Sequence, residues 1–408
     1  MTTHAAPRLL SRDFLFVAAS TLLFFAAFAM SIPVLPRYIV EELGQSEAVV
    51  GLVFGANALA AVLVRPMIGR IGDRHSRRVL LVGGSVLTAV GMLAHVVADT
   101  VTLLVLARLI TGAGQAAVMV AATTIALDLA PTARRGEASS YIMVALQLGL
   151  GTGPLLGEFI LAQASYDAVW VASAIGALVC LATALGLQRE PRRSAPIVRA
   201  KLIHPAGVRP GVVLGIGAIG FIGYLAFVPL YGQQIGLAQV GPLFLLCSGT
   251  IAVVRTLAAR LPDRIGPVPG ASAALALMAL GLLGMAAWRT PVGLYATTFV
   301  MAAGSALLFP SLMLAATSTV PESERARAMA TFTVFIDVTG AVGPSVLGLL
   351  VVVGGFPGAF AAAGGAAVLA LLLLRGWLAP WLADEQAALE AHDGSIERSR
   401  PGEADAGG

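Results

Sequence analysis

The sequence predicts an all-α membrane protein: twelve transmembrane helices in two pseudo-symmetric six-helix bundles. Three observations lead there. Of 408 residues, 58% are hydrophobic and only 12% charged, and mean hydropathy is +0.87. A soluble domain carries about 25% charged residues, so this chain could not cover its surface in water. The apolar residues fall into twelve runs, and a helix needs about 20 of them to cross a bilayer core. The landmarks of the first half then recur in the second at an offset of 190 residues.

The first run, 14–36, contains Ala27-Phe28-Ala29, which resembles a signal-peptide cleavage site. It is long for a leader, and its counterpart recurs mid-chain with no cleavage role, so it reads as a span. Runs at 48–69, 79–98, 101–126, 138–161 and 168–188 complete an N-terminal bundle, residues 1–188. The polar segment 189–210, rich in arginine and punctuated by Pro191, Pro196, Pro205 and Pro210, reads as a linker. Runs at 211–232, 240–259, 270–288, 292–317, 327–350 and 357–375 form a C-terminal bundle, residues 211–376. Residues 377–408 form a tail that turns polar and Gly-rich from about Ala383 and is expected to be mostly disordered. Cys180 and Cys247 both fall inside apolar runs, so no disulfide framework is implied.

Arginine placement sets the expected orientation, because Lys and Arg are retained on the cytoplasmic side. With the N-terminus inside, inner segments carry 21 of the 26 basic residues, the outer loops hold only Arg37 and Arg289, and Arg65, Arg108 and Arg255 lie within spans. Both termini are therefore expected in the cytoplasm, in a multi-pass protein of the cell's inner (plasma) membrane. A net charge of +4 does not indicate nucleic acid, since the basic residues sit in short clusters between apolar runs.

At the repeat offset, Val64-Arg65 meets Val254-Arg255, Asp73-Arg74 meets Asp263-Arg264, Gly114 meets Gly304 and Gly153-Pro154 meets Gly343-Pro344. Parallel six-helix halves are a known transporter architecture, with substrate sites near the midplane between them. The loop after the second span, Gly69-Arg70-Ile71-Gly72-Asp73-Arg74-His75-Ser76-Arg77-Arg78, resembles the signature loop of the major facilitator superfamily, with Ser76 where that pattern has glycine. Arg108 with Gly112 and Gly114 resembles the family's fourth-span motif. Gly149, Gly153-Pro154 and Gly157 are similar to the fifth-span motif of its antiporters, with Glu158 replacing the final glycine. Pro33-Val34-Leu35-Pro36 is like the drug-efflux branch with twelve helices. The resemblance spans nearly the whole chain.

The resemblance implies roles for particular residues. Asp73, at the end of the second span, would face the positive N-terminal end of the eleventh helix. The family also links this carboxylate to a basic residue and an acid ending the fourth span, positions matched here by Arg77 and Asp128. With Arg74, Arg78 and the repeated Asp263-Arg264, these form a candidate cytoplasmic gate; the plainer reading is a solvated loop cluster obeying the positive-inside bias. The glycines would give a tight contact with the eighth helix that limits leakage. Gly149, Gly153 and Gly157 also lie on one helix face, where small residues simply permit close packing, and Pro154 adds a bend.

Charges inside spans are costly and therefore candidates for function. Arg108 lies about eight residues into the fourth span, a candidate for substrate binding or proton coupling unless it snorkels or pairs structurally. Its repeat equivalent is Thr298, so the architecture does not demand the charge. Asp337 is the one acid near the middle of a second-half span, equivalent to Gln147 in the first. It is the first choice for a proton site, against an interhelical hydrogen-bonding role. Glu158, near the outer end of the fifth span, is the second, against simple contact with outside water. The acid that many efflux relatives carry in the first span is missing between Asp13 and Glu41. Asn57, Gln115, Met143, Gln147, Phe221, Tyr224 and Phe335 are candidates to line a substrate cavity, helix packing being the plainer role for each.

Gly215-Ile216-Gly217-Ala218-Ile219-Gly220 matches a dinucleotide fingerprint but lies in a span and follows no strand. No P-loop or hydrolase motif is present, so no enzyme, cofactor or metal is expected. The expectation is a monomeric secondary transporter, a proton-coupled exporter of small amphiphilic compounds (drugs or metabolites), working by alternating access. The alternatives are a metabolite or sugar exporter, or a proton symporter of the same fold. A non-transporting receptor or scaffold would call for a large extramembrane domain or long loops.

Overall fold

The computed structural model describes residues 11–74, 77–131, 134–185, 204–258 and 264–387. Asp263, the linker up to residue 203 and the tail beyond 387 lie outside these, as do the side chains of Asp73, Arg74 and Cys180. The described residues are almost all helical, joined by short turns, with no strand among them.

The elements are α1 Arg12–Arg37, α2 Glu47–Arg74, α3 Arg77–Ala94, α4 Val101–Leu129, α5 Arg135–Gln163 and α6 Tyr166–Leu185, then α7 Pro205–Gln234, α8 Gly241–Leu257, α9 Pro267–Ala287 and α10 Pro291–Thr317. The last helix, Glu322–Leu373, breaks at Gly355, where φ is 66°. That left-handed conformation suits glycine, and Pro357 follows it. Its two arms, 322–354 and 356–373, are α11 and α12. Nine of the helices among the described residues are long and apolar enough to cross a membrane, the last of them, Arg327–Ala387, containing both arms; Tyr166–Val179 and Gly241–Leu257 are apolar but shorter.

The helices outrun the apolar stretches that revealed them. Hydropathy reports the hydrocarbon thickness, whereas a helix ends only where its backbone groups find other partners. α2 continues to Arg74 and α7 starts at Pro205, inside the expected linker. Pro205 sits at the first helical position, where its missing N–H costs nothing, and the His204 ring accepts from the Ala206 amide. The other imidazole nitrogen meets Glu324 at 3.1 Å. That hydrogen bond, with Arg327 alongside, holds the Glu324 carboxyl below the usual carboxylate range. The start of the tail is also ordered helix: the chain stays helical to residue 387. Leu378 and Leu382 are buried there, and the Arg209 guanidinium stacks on the Trp377 and Trp381 rings at 5.3 and 5.1 Å.

The repeat is visible in the packing. Thr100 caps α4 by accepting from the Leu103 amide, and Thr290, its equivalent, caps α10 through Gly293. Gly114 of α4 packs on the α3 backbone at Gly84, and Gly304 of α10 packs on α9 at Ala274, again one offset away. Small residues allow such approaches, which in lipid supply much of the association energy through dispersion.

Two seams join helices α1–α6 to α7–α12. In one, Gly51 and Gly55 of α2 lie against the α11 backbone at Pro344 and Ala341, and Gly348 of α11 against Glu47. In the other, Gly241 of α8 lies against Leu155 of α5, and Gly151 of α5 against Ser248 and Leu245. Both contact sets lie toward the face that carries residues 43–46, the distal face, opposite the face where α6 ends and α7 begins.

Candidate functional site

The seams carry the polar groups that bridge the halves. Where the α2–α11 contacts end, Arg65 of α2 forms a bidentate ion pair with Asp337 of α11, one of its hydrogen bonds measuring 3.1 Å. Asp337 lies about 22 Å along α11 from the start of that helix, at about 1.5 Å per residue, and so within the bilayer core. The Arg65 side chain is 51% exposed and that of Asp337 18%. The sequence marked Arg65 only as a charge within a span. Its position seven residues after Ala58, which touches α11 at Gly340, keeps it on the seam side of α2.

Glu158 does not face outside water, the plainer of its two readings: it is 6% exposed, and its carboxylate accepts from the backbone amides of Val240 at 3.0 Å and Gly241 at 2.6 Å. These are the first donors of α8, which have no partner inside their own helix, and the helix dipole favours a negative charge there. A side chain of the first half therefore caps a helix of the second, at the distal end of the α5–α8 seam. Nearby, the Gln233 amide donates to Glu41 at 3.1 Å.

Arg108 is 2% exposed, so it does not snorkel. Its guanidinium carbon lies 5.7 Å from the Phe28 ring centroid and 5.3 Å from that of Phe54. Cation–π attraction of about 2 kcal/mol or more in a dry site offsets a burial cost of about 2.5–3.5 kcal/mol. Nε and one terminal nitrogen have no hydrogen-bond partner. The second half repeats the cage with other chemistry: Tyr224 and Phe244 approach at 6.1 Å, and Thr298, in the place of Arg108, meets the Tyr224 hydroxyl at 3.4 Å. The three proton-coupling candidates therefore occupy separate places and do not form one cluster.

Among the cavity candidates, the Asn57 amide donates to Gln115 at 2.8 Å, joining α2 to α4. Met143, Gln147 and Phe221 are half-buried. Tyr224 falls away from a cavity, having no exposed surface; Phe335 is half-buried, with its ring packed on α7 at Gly211. His95 is fully buried, its ring 5.1 Å from that of Trp170.

On the opposite face, Arg77 at the start of α3 pairs with Asp128 near the end of α4 and donates to the Thr124 carbonyl at 3.0 Å. Arg78 is half-buried and Arg264 exposed. The glycine motif corrects the contact implied by resemblance. Gly149 faces Leu22 and Ala26, Gly153 faces Ala26 and Ala29, and Gly157 faces Met30, all on α1 of the same half. It is Gly151, on another face of α5, that meets α8.

The sequence profile of the Major Facilitator Superfamily matches residues 17–269 and 238–397. An MFS-type transporter of Salmonella typhimurium is 26% identical over 391 residues, covering 91% of this chain and 98% of the relative. The MFS-type transporter YhhS of Salmonella enteritidis is 30% identical over 370 residues, covering 84% and 87%. Among solved structures, that of the nucleoside transporter NupG superposes with a TM-score of 0.73 at 15% identity, covering 90% of this chain and 98% of that one; the likeness is one of fold.

Proposed function

This chain belongs to the major facilitator superfamily of transporters, and from that premise we propose that it is a monomeric, proton-coupled exporter of small amphiphilic compounds. The halves 1–188 and 211–376 rock about the two seams, with the linker face and both termini in the cytoplasm. The observation that carries this reading is the Arg65–Asp337 pair, an ionisable contact across the halves within the membrane. Protonation of Asp337 would remove the charge that holds Arg65 and so loosen the α2–α11 seam. Proton entry and reorientation are thereby linked through one bond. On the distal face, Glu158 and the α8 amides hold the α5–α8 seam closed, and Arg77, Asp128 and the Asp73 loop act on the cytoplasmic face.

The test is uptake into proteoliposomes carrying an imposed pH gradient, over a panel of amphiphilic compounds. Gradient-driven accumulation that a protonophore collapses is expected; accumulation indifferent to the gradient rejects proton coupling.

The distal latch has its own test. Glu158→Gln keeps a weaker acceptor but loses the charge at the helix end, a loss of about 1 kcal/mol. That corresponds to about a fivefold rise in the distal-open population. In a background without native cysteines, a cysteine placed at Ser248, which is half-buried in the seam against Gly151, should label about fivefold faster from the distal side. Unchanged labelling removes Glu158 from the latch.

A further inference from the structure

The two seams correspond at the 190 offset until they reach their charged ends. Gly51 on Ser345 corresponds to Gly241 on Leu155, and the Ala58–Gly340 contact to that of Ser248 with the α5 stretch at Gly151. Seven residues beyond Ala58 stands Arg65; seven beyond Ser248 stands Arg255. Two helical turns return a side chain to almost the same direction, so both arginines sit on the seam sides of their helices. Asp337 lies four residues before Ala341, and Gln147 four before Gly151. The first seam thus ends in a closed ion pair, Arg65–Asp337. At the corresponding end of its twin the same offset places Arg255, and position 147 carries a neutral amide in place of the acid.

Arg255 is exposed and makes no hydrogen bond or ion pair among the described residues. The apolar, outward side of α8 at this level is formed by Val253 and Leu257, both exposed, which leaves Arg255 on the side turned to the other half. Arg255 stands in the last turn of α8, and a guanidinium at that level of a span is stabilised by water or by an anionic partner. Its flat fork of donors matches a carboxylate, and Gln147 can donate to the same group.

We propose that Arg255 and Gln147 form the anion pole of the substrate site, and that the transported compound is an amphiphilic monocarboxylate. Its carboxylate takes in the α5–α8 seam the place that Asp337 holds in the α2–α11 seam, so that cargo binding completes the second seam as the protein's own acid completes the first. The inference rests on the transporter reading and names the chemistry of its cargo.

The experiment uses the full chain in nanodiscs and pairs of aryl carboxylates with their primary amides: phenylacetate, 4-phenylbutyrate, indole-3-acetate and 2-naphthoate. At least one carboxylate should bind tenfold or more tightly than its amide. Arg255→Gln should bring that preference to within about twofold. Gln147→Asp, which installs the missing acid beside an intact Arg255, should do the same with no loss of melting temperature. Should no acid be preferred over its amide, or should Gln147→Asp retain the preference, the anion pole is overturned. Gradient-driven transport of neutral or cationic compounds without any acid preference would refute the pole and leave the transporter reading standing. Absence of driven transport for every compound, with the acid preference intact, strikes the coupling reading instead.

Discussion

Asp337→Asn is expected to abolish gradient-driven accumulation, by 100-fold or more, while leaving downhill exchange of the same compound measurable. Asparagine keeps the shape of aspartate and can still accept one hydrogen bond from Arg65, but it neither ionises nor carries a proton. The bidentate, charge-assisted contact between α2 and α11 becomes a single neutral one. Because the Arg65 side chain is about half exposed, its freed guanidinium can take water in place of the carboxylate, so the folded protein should lose only about 1 kcal/mol, the scale of a solvent-accessible pair. Uptake and counterflow measured on the same proteoliposomes separate the two effects. Wild-type accumulation by Asp337→Asn would remove this residue from the coupling route. Loss of both uptake and counterflow would show that the pair is needed for reorientation itself.

Gly153→Val should have the largest effect on stability. A Cβ at Gly153 would meet the Ala26 carbonyl oxygen and lie 2.7 Å from the Ala29 Cβ. The obstacle is backbone on α1, not the movable end of a side chain. Overpacking of this kind costs about 3 kcal/mol, seen as a melting temperature several degrees lower and a reduced yield of folded protein. Gly151→Val makes the matching control. There the added carbon meets the Ser248 side chain at 2.8 Å, in the seam between halves, so it should wedge the distal closure and slow transport with a smaller loss of stability. The pair separates the two readings of the fifth-span glycines. If Gly153→Val alters leak or turnover at unchanged stability, the α1 packing role is wrong.

Much of the protein was legible before any coordinates. Twelve runs appeared as helical segments, and the repeat offset that aligned Gly114 with Gly304 reappeared as equivalent packing on α3 and α9. The in-span charges Arg108, Asp337 and Arg65 stood out because lipid makes them expensive. What failed was direction. Tyr224 was polar and aromatic enough to suggest a cavity, yet it is fully buried inside the second half. The glycine stripe was legible as a close contact, but not as a contact with α1.

The sequence by itself determined the all-helical class, the approximate course of the helices among the described residues, the duplication and the inventory of costly charges, because transfer from water to lipid depends on local composition along the chain. Only the tertiary structure decided that Asp337 pairs with Arg65, that Glu158 caps α8 and that Arg108 lies between two phenylalanines. The physical reason is that a helix apolar on all sides offers no contrast between its faces. Its rotation is set by close packing against helices far away in the chain, and that rotation selects the partner each polar side chain meets.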